Sequence, residues 1–276
     1  VFEDAPELEL IEEMNKDRHV VFYESRFSFL KAINGIRPSC THGLLAPTGM
    51  GKSTLTRSII CDTAKTHRVG VILSEERPIE YSSGFITQGE AVNWGNLRFL
   101  KETDITTRVS GKEAQIDALI AFAVEHDITV LFWDNITTGT ILGDSVKPAY
   151  MATLLDRLKE KLMETKIALF YIAHTNKTVK AEQSTLIQGE DVRGSNQYYM
   201  KADYFFILQV KTKNDEKIAF VRITKNRFHQ PKIKEYVLEF ITNRYTRDIG
   251  VPLSKILEIF EKDKKNESTN KFYPRY

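Results

Sequence analysis

Ala46-Pro47-Thr48-Gly49-Met50-Gly51-Lys52-Ser53-Thr54 stands between the apolar run Gly43-Leu44-Leu45 and a helical pattern from Leu55 to Cys61. Strand, glycine-bearing turn and helix in that order restrict the chain severely. Gly49 and Gly51 let the backbone curl so that successive N–H groups face one point, a nest for phosphate oxygens. Lys52 adds a point charge for the β- and γ-phosphates, and the Ser53 hydroxyl suits Mg²⁺. The helix that follows turns its positive end toward the anion. Ala46 replaces the usual first glycine, at the least demanding position. The loop predicts a site for ATP or another nucleoside triphosphate made by Gly49, Met50, Gly51, Lys52, Ser53 and Thr54, with Mg²⁺ on Ser53.

The rest of the chain has the alternation that such a loop requires. Val69 to Leu73, Thr129 to Trp133, Ile167 to Ile172 and Tyr204 to Leu208 are apolar runs of strand length. Glu113 to His126 and Tyr150 to Thr165 are amphipathic helical stretches between them, as in a mostly parallel sheet flanked by helices. Lys217 to Thr224 and Glu235 to Ile241 are β-rich and form an antiparallel extension at one edge. The expected organisation is an amino-terminal linker with an acidic helix at Pro6 to Asn15 (1–24), an ATPase domain (25–250), and a carboxyl-terminal helix with a Lys/Asn/Ser-rich tail (251–276). With 276 residues, 42% hydrophobic and 28% charged, one large α/β domain has ample core.

Composition excludes several classes. A net charge of +2 is too small to argue for nucleic acid by itself, so such an argument must come from local sites. Cys40 and Cys61 have neither CxxC pairing nor metal-ligand spacing, which points to a reducing compartment. The sequence contains no apolar run of about 18 residues and no signal peptide, against a membrane span. It opens on Val1 rather than Met, so a longer chain is expected.

In an α/β sheet the chemistry sits at the carboxyl ends of the strands. After Leu73 come Ser74-Glu75-Glu76-Arg77, offering a carboxylate to orient or deprotonate a water. After Trp133 comes Asp134-Asn135, an acid closing an apolar strand in the Walker B pattern and a candidate for the Mg²⁺ shell. After Ile172 come Ala173-His174-Thr175-Asn176-Lys177, where the His174 imidazole can report the γ-phosphate.

With Asp191-Val192-Arg193-Gly194-Ser195 and Arg222-Ile223-Thr224-Lys225-Asn226-Arg227-Phe228, these segments resemble the signature motifs of the DnaB-like replicative helicases. The similarity is greatest to the helicase half of phage primase-helicases and to Twinkle, with five motifs in order from Ser25 to about Arg247. The resemblance implies a RecA-like core and a catalytic glutamate at Glu75, with Glu76 as the alternative if the alignment shifts by one. It implies Lys52, Asp134 and His174 at the reacting phosphates. Arg227 becomes an arginine finger reaching the next subunit, with Lys225 as its companion, and Phe240 a ring against the base. Asn176, Lys177, Arg193 and Gly194 fall in loops that touch single-stranded DNA.

Two departures stand out: Met200 replaces a glutamine that links nucleotide to DNA loops, and Asn196 replaces a loop glycine. Near the base, Val210 stands where a basic residue is usual, with Lys211 beside it. The implied protein is a hexameric ring that couples hydrolysis to movement on single-stranded DNA and duplex unwinding. Primase or polymerase partners are implied, as is a cytoplasmic location in a bacterium or phage-infected host. Two other readings remain open: a RecA-like recombinase or loader, and a regulatory ATPase that never touches DNA. Tyr198, Tyr199, Phe132 and Trp133 are read as core residues.

Overall fold

Successive residues of the central strands face opposite sides of the sheet, and here both sides are apolar. In the computed structural model, which describes residues 23, 25–143, 145–176, 186–213, 216–241 and 243–258, Phe132 belongs to one core and its neighbours Leu131 and Trp133 to the other. The first core packs Leu44, Val71 and Phe170 against Leu55, Ile59 and Ile60 of the helix Lys52–Thr63. The second packs Leu45, Ile72 and Tyr171 against the helices Lys112–Glu125 and Pro148–Thr165, through Ile116, Leu119, Leu154 and Leu158. Strands buried on both faces in this way are those of a helix-covered parallel sheet.

Nine strands form that sheet: β1 (Thr41–Ala46), β2 (Val69–Leu73), β3 (Leu97–Lys101), β4 (Val130–Asp134), β5 (Ala168–His174), β6 (Tyr204–Lys213), β7 (Glu216–Asn226), β8 (Glu235–Ile241) and β9 (Arg244–Val251). Their order is β3-β2-β4-β5-β1-β6-β7-β8-β9. Pairing is parallel from β3 to β6 and antiparallel from β6 to β9. The expected α/β class, mostly parallel with an antiparallel extension, is the observed one.

The differences lie at the margins. β6 continues to Lys213, well past Leu208, because β7 pairs with it along that whole length. β3, β9 and the helix Pro78–Thr87 were not expected. The sequence of β9 is broken by the polar run Thr246-Arg247-Asp248, and its buried members are Tyr245 and Asp248. Asp248 is placed there to cap another element, accepting from the backbone N–H groups of Ser28 (2.5 Å) and Phe29 (2.8 Å) at the start of the helix Ser28–Lys31, where first-turn donors have no partner of their own.

A helix at 253–258 places Ile256 against Phe220. The acidic helix expected at Pro6 to Asn15, the tail beyond 258 and Lys177 lie outside the described residues. No helix among the described residues is long and apolar enough to cross a membrane.

Candidate functional site

The carboxyl ends of β1, β2, β4 and β5 open into one cleft of about 390 Å³, lined by Thr48, Gly49, Gly51, Lys52, Ser53, Thr54, Glu75, Glu76, Tyr81, Asp134, Asn135 and His174, a volume in the range of small-molecule sites. Eleven of these twelve lie in the sequence segments singled out above; Tyr81 is the addition, and Asn135 had no role there beyond standing next to Asp134. Gly49 and Gly51 have φ of 80° and 78°, the left-handed region that glycine enters freely. A Cβ on Gly51 would also lie 2.7 Å from the Tyr245 hydroxyl, so β9 backs the loop.

Lys52 is buried and its Nζ donates to the Pro47 carbonyl at 3.0 Å. Burial lowers its pKa to about 8, against the opposing pull of Asp134 and Glu75. Asp134 is raised to about 6 by burial, with the Ser53 hydroxyl bonded to it opposing that shift. Its Oδ2 is buried with no well-formed hydrogen bond, and the buried Tyr81 hydroxyl stands beside it. An orphaned carboxylate oxygen next to a serine hydroxyl is an all-oxygen donor set that fits Mg²⁺. Ser53 and Asp134 are therefore the residues that would hold it.

His174 is fixed from both ring nitrogens. The Asn135 carboxamide oxygen accepts from Thr137 Oγ1, Thr138 N and Thr138 Oγ1, which turns its Nδ2 toward His174 Nε2 at 2.9 Å. Nε2 then accepts, and the network assigns the proton to Nδ1, 3.2 Å from Thr48 Oγ1. Burial first, then the charges of Lys52 and Arg193, lower its pKa to about 4, so the ring is neutral at pH 7. The histidine joins the phosphate loop to the segment after Asp134.

Glu75 and Glu76 part company. Glu76 pairs with Arg57 at 3.5 Å, and its charge acts on Asp134. Glu75 acts on Lys52 and His174 instead, on the side of the phosphate loop. Met50 is half-buried and packs against the core. Phe240, exposed, lies outside the cleft lining; its ring meets Tyr245 edge-on at 5.1 Å.

The candidate DNA loops adjoin the histidine. Arg193 N donates to the His174 carbonyl at 2.8 Å, Asn176 N to the Asp191 carbonyl at 2.8 Å, and Thr175 bridges Val192. Gly194 follows, exposed, with φ of 86°. Tyr198 and Trp133 are buried and Tyr199 half-buried, as core residues should be.

Lys225 and Arg227 lie elsewhere. Arg227 pairs with Asp203 at 3.2 Å, and Lys225 Nζ donates to the carbonyls of Tyr199 and Met200 at 3.0 and 2.6 Å. Asp203 also accepts from Lys159 Nζ (2.7 Å), Thr41 N (3.0 Å) and Thr41 Oγ1 (2.9 Å). Thr41 begins the strand that Ala46 ends, so roughly 17 Å of strand separates this cluster from the phosphate loop. Arg227 lines a separate cleft of about 570 Å³ with Lys159, Lys201, Asp156 and Glu164, which shares no residue with the first.

A KaiC-like protein of the hyperthermophilic archaeon Pyrococcus horikoshii shares this architecture, with a TM-score of 0.63, 85% of this chain and 99% of that chain covered, and 18% identity. The fold is RecA-like. No family model matches the chain, and no curated protein matches it. Within the RecA-like frame, Tyr81 and Tyr245 are the cleft or backing residues that sequence reasoning passed over, while Thr48 and Asn135 lay in the quoted segments without a role of their own.

Proposed function

We propose that the chain is a ring-forming motor that hydrolyses ATP or another nucleoside triphosphate, moves on single-stranded DNA and unwinds duplex by excluding the other strand. The observation that carries this reading is the separation of Arg227 and Lys225 from their own phosphate loop by the length of β1. Cations so placed serve a neighbour's nucleotide or none. A subunit that gives on one face and receives on another makes heterologous contacts, which close into a ring.

In this reading the loop N–H groups and Lys52 hold the phosphates, and Glu75 takes or orients the proton of the attacking water. Mg²⁺ on Ser53 and Asp134 would neutralise phosphate charge. The neighbour's Arg227, assisted by Lys225, stabilises charge in the transition state, a contribution of ~10³–10⁵ in rate for such fingers. With Nε2 accepting from Asn135, His174 can donate from Nδ1 toward the γ-position. Its carbonyl holds Arg193, so a shift of the histidine is felt at the loop that grips DNA phosphates without reading sequence.

The KaiC-like neighbour favours a second reading, a RecA-like ATPase that switches a protein partner. Nucleotide hydrolysis with and without unstructured single-stranded DNA separates the two, with Lys52→Ala as the blank. Stimulation by DNA, followed by strand separation on a forked duplex, supports the motor. Hydrolysis indifferent to DNA overturns it in favour of the regulatory ATPase, and filaments on DNA without unwinding indicate a recombinase or loader.

A further inference from the structure

Behind the cleft lies a carboxylate that the scheme above does not use. Glu102, only 1% exposed, opens the short helix Glu102–Thr106 after β3. Among the described residues no cation pairs with it. Its oxygens accept instead from Ser74 Oγ (2.5 Å), Thr140 Oγ1 (3.1 Å) and the backbone N–H of Ile141. The loop carrying the last two donors closes tightly on it: a Cβ at Gly139 would lie 2.4 Å from Glu102 Oε2. Such a group is costly to bury unless its acceptors are filled, and here three donors converge on it.

Ser74 is the hub. Its hydroxyl proton goes to Glu102, while its oxygen accepts from the Trp133 indole N–H at 3.1 Å. Its backbone N–H donates to the Asp134 carbonyl at 3.0 Å. Residue 74 is thus held at three points, two of them on the strand that ends in the metal-binding acid. The next residue is Glu75, exposed, whose carboxylate has no hydrogen bond among the described residues. Among the described residues no hydrogen bond holds that side chain, so within the pull of Lys52 and His174 its starting direction follows the backbone that Ser74 fixes.

We propose that Glu102, acting through Ser74, is the positioning residue for the Glu75 carboxylate, which it holds at the angle required to meet the attacking water. The inference rests on the role given to Glu75 above. A carboxylate suits the task and an amide does not. Three donors require three acceptor sites, and the NH₂ of a glutamine would turn a donor toward at least one of them. The Ser74 hydroxyl would then rotate and release its hold on residue 74. Angular precision is what a positioned base contributes, and a misplacement of about 1 Å costs on the order of 100-fold.

The test is a double-mutant cycle on the full chain, read by single-turnover hydrolysis, by binding of a fluorescent nucleotide analogue and by thermal melting. Ser74→Ala removes the hydroxyl that links Glu102 to Trp133, its cost to folding read from the melting curve, and Glu102→Gln changes the acceptor. Each is expected to slow the chemical step by about 10–100-fold while analogue binding stays within about twofold. In a Glu75→Gln background neither should slow it further. Losses that multiply with that of Glu75→Gln, or that appear in analogue binding instead of rate, would overturn the proposal and leave Glu102 as a structural staple. Full turnover by Glu75→Gln alone would instead overturn the role of Glu75, a failure this cycle identifies separately.

Discussion

His42 provides a quantitative test of the fold through pH. Its ring is fully buried in β1, stacked between Tyr204 (4.7 Å) and Phe170 (6.2 Å) with planes within 6°. The two nitrogens have fixed roles: Nε2 accepts from Arg37 N at 3.2 Å, and Nδ1–H donates to the Leu169 carbonyl at 3.3 Å. A proton on Nε2 would face another N–H, so the neutral ring is the one that fits. Burial lowers its pKa from 6.5 to about 4, against the opposing bond to Leu169 and the charge of Asp203. At ~1.36 kcal/mol per pH unit, the protonated form costs about 3 kcal/mol.

The sign follows from linkage: as pH falls the unfolded chain binds the proton first, so stability contributed by the neutral ring is full above pH 6.5. It drains away between 6.5 and 4 and is gone below. Urea unfolding of wild type and His42→Gln, which retains a donor and an acceptor, at steps from pH 7.5 to 4.5 gives the difference free of most carboxylate effects. His42→Gln should be the less stable protein at pH 7.5, and the gap should narrow by about 2–3 kcal/mol at the acid end. Parallel curves over that range would refute the burial of a neutral ring.

Other outcomes are expected of the same molecule. Arg26 joins the buried carboxylates Asp62 and Glu90 at 2.9 Å each; Arg26→Met removes the cation they share, leaving Asp62 to Lys65 and Glu90 to Ser58 and Arg244, and should lower unfolding stability by about 2 kcal/mol, read as a fall in urea midpoint. Gly51→Ala meets the Tyr245 hydroxyl and a left-handed backbone costing about 1–2 kcal/mol, so nucleotide affinity should fall at least about tenfold, and Tyr245→Phe in the same chain should recover part of it. Glu75→Gln should remove turnover while Glu76→Gln, whose partner is Arg57, retains most of it, as steady-state phosphate release will show. Arg227→Ala should bind nucleotide normally and fail to hydrolyse it, and mixing it with Lys52→Ala should restore some turnover, since a neighbour supplies what each lacks; equal loss of binding would argue against action in trans.

The sequence signalled those parts of the molecule whose signal is local. The phosphate loop, the apolar strands and the acids at their ends can be read off the chain because neighbouring residues define them. β3 and β9 escaped because Leu97–Lys101 and Arg244–Val251 mix charges with apolar side chains, and their partners are supplied by β2 and β8. What separates Glu75 from Glu76 is Arg57, which approaches from the helix Lys52–Thr63 and pairs with Glu76. Tyr81 and Glu102 stand in stretches without a motif around them, and Tyr245 is one aromatic among many. Their places beside Asp134, Ser74 and Gly51 exist only once the sheet brings distant segments together.

The four donors on Asp203 are unequal, and that inequality sets how readily Arg227 can travel. Thr41 supplies a backbone N–H and a hydroxyl, both buried, and Lys159 supplies a charge that is only 17% exposed. The arginine side chain is 65% exposed and its contact is the longest of the set. When it swings away, Asp203 keeps a cation and two hydrogen bonds, so no buried charge is orphaned. Detachment then forfeits only a solvent-screened pair, about 0–1 kcal/mol. In the proposed ring, a side chain held so loosely at rest would surrender little on being drawn to a neighbour's nucleotide.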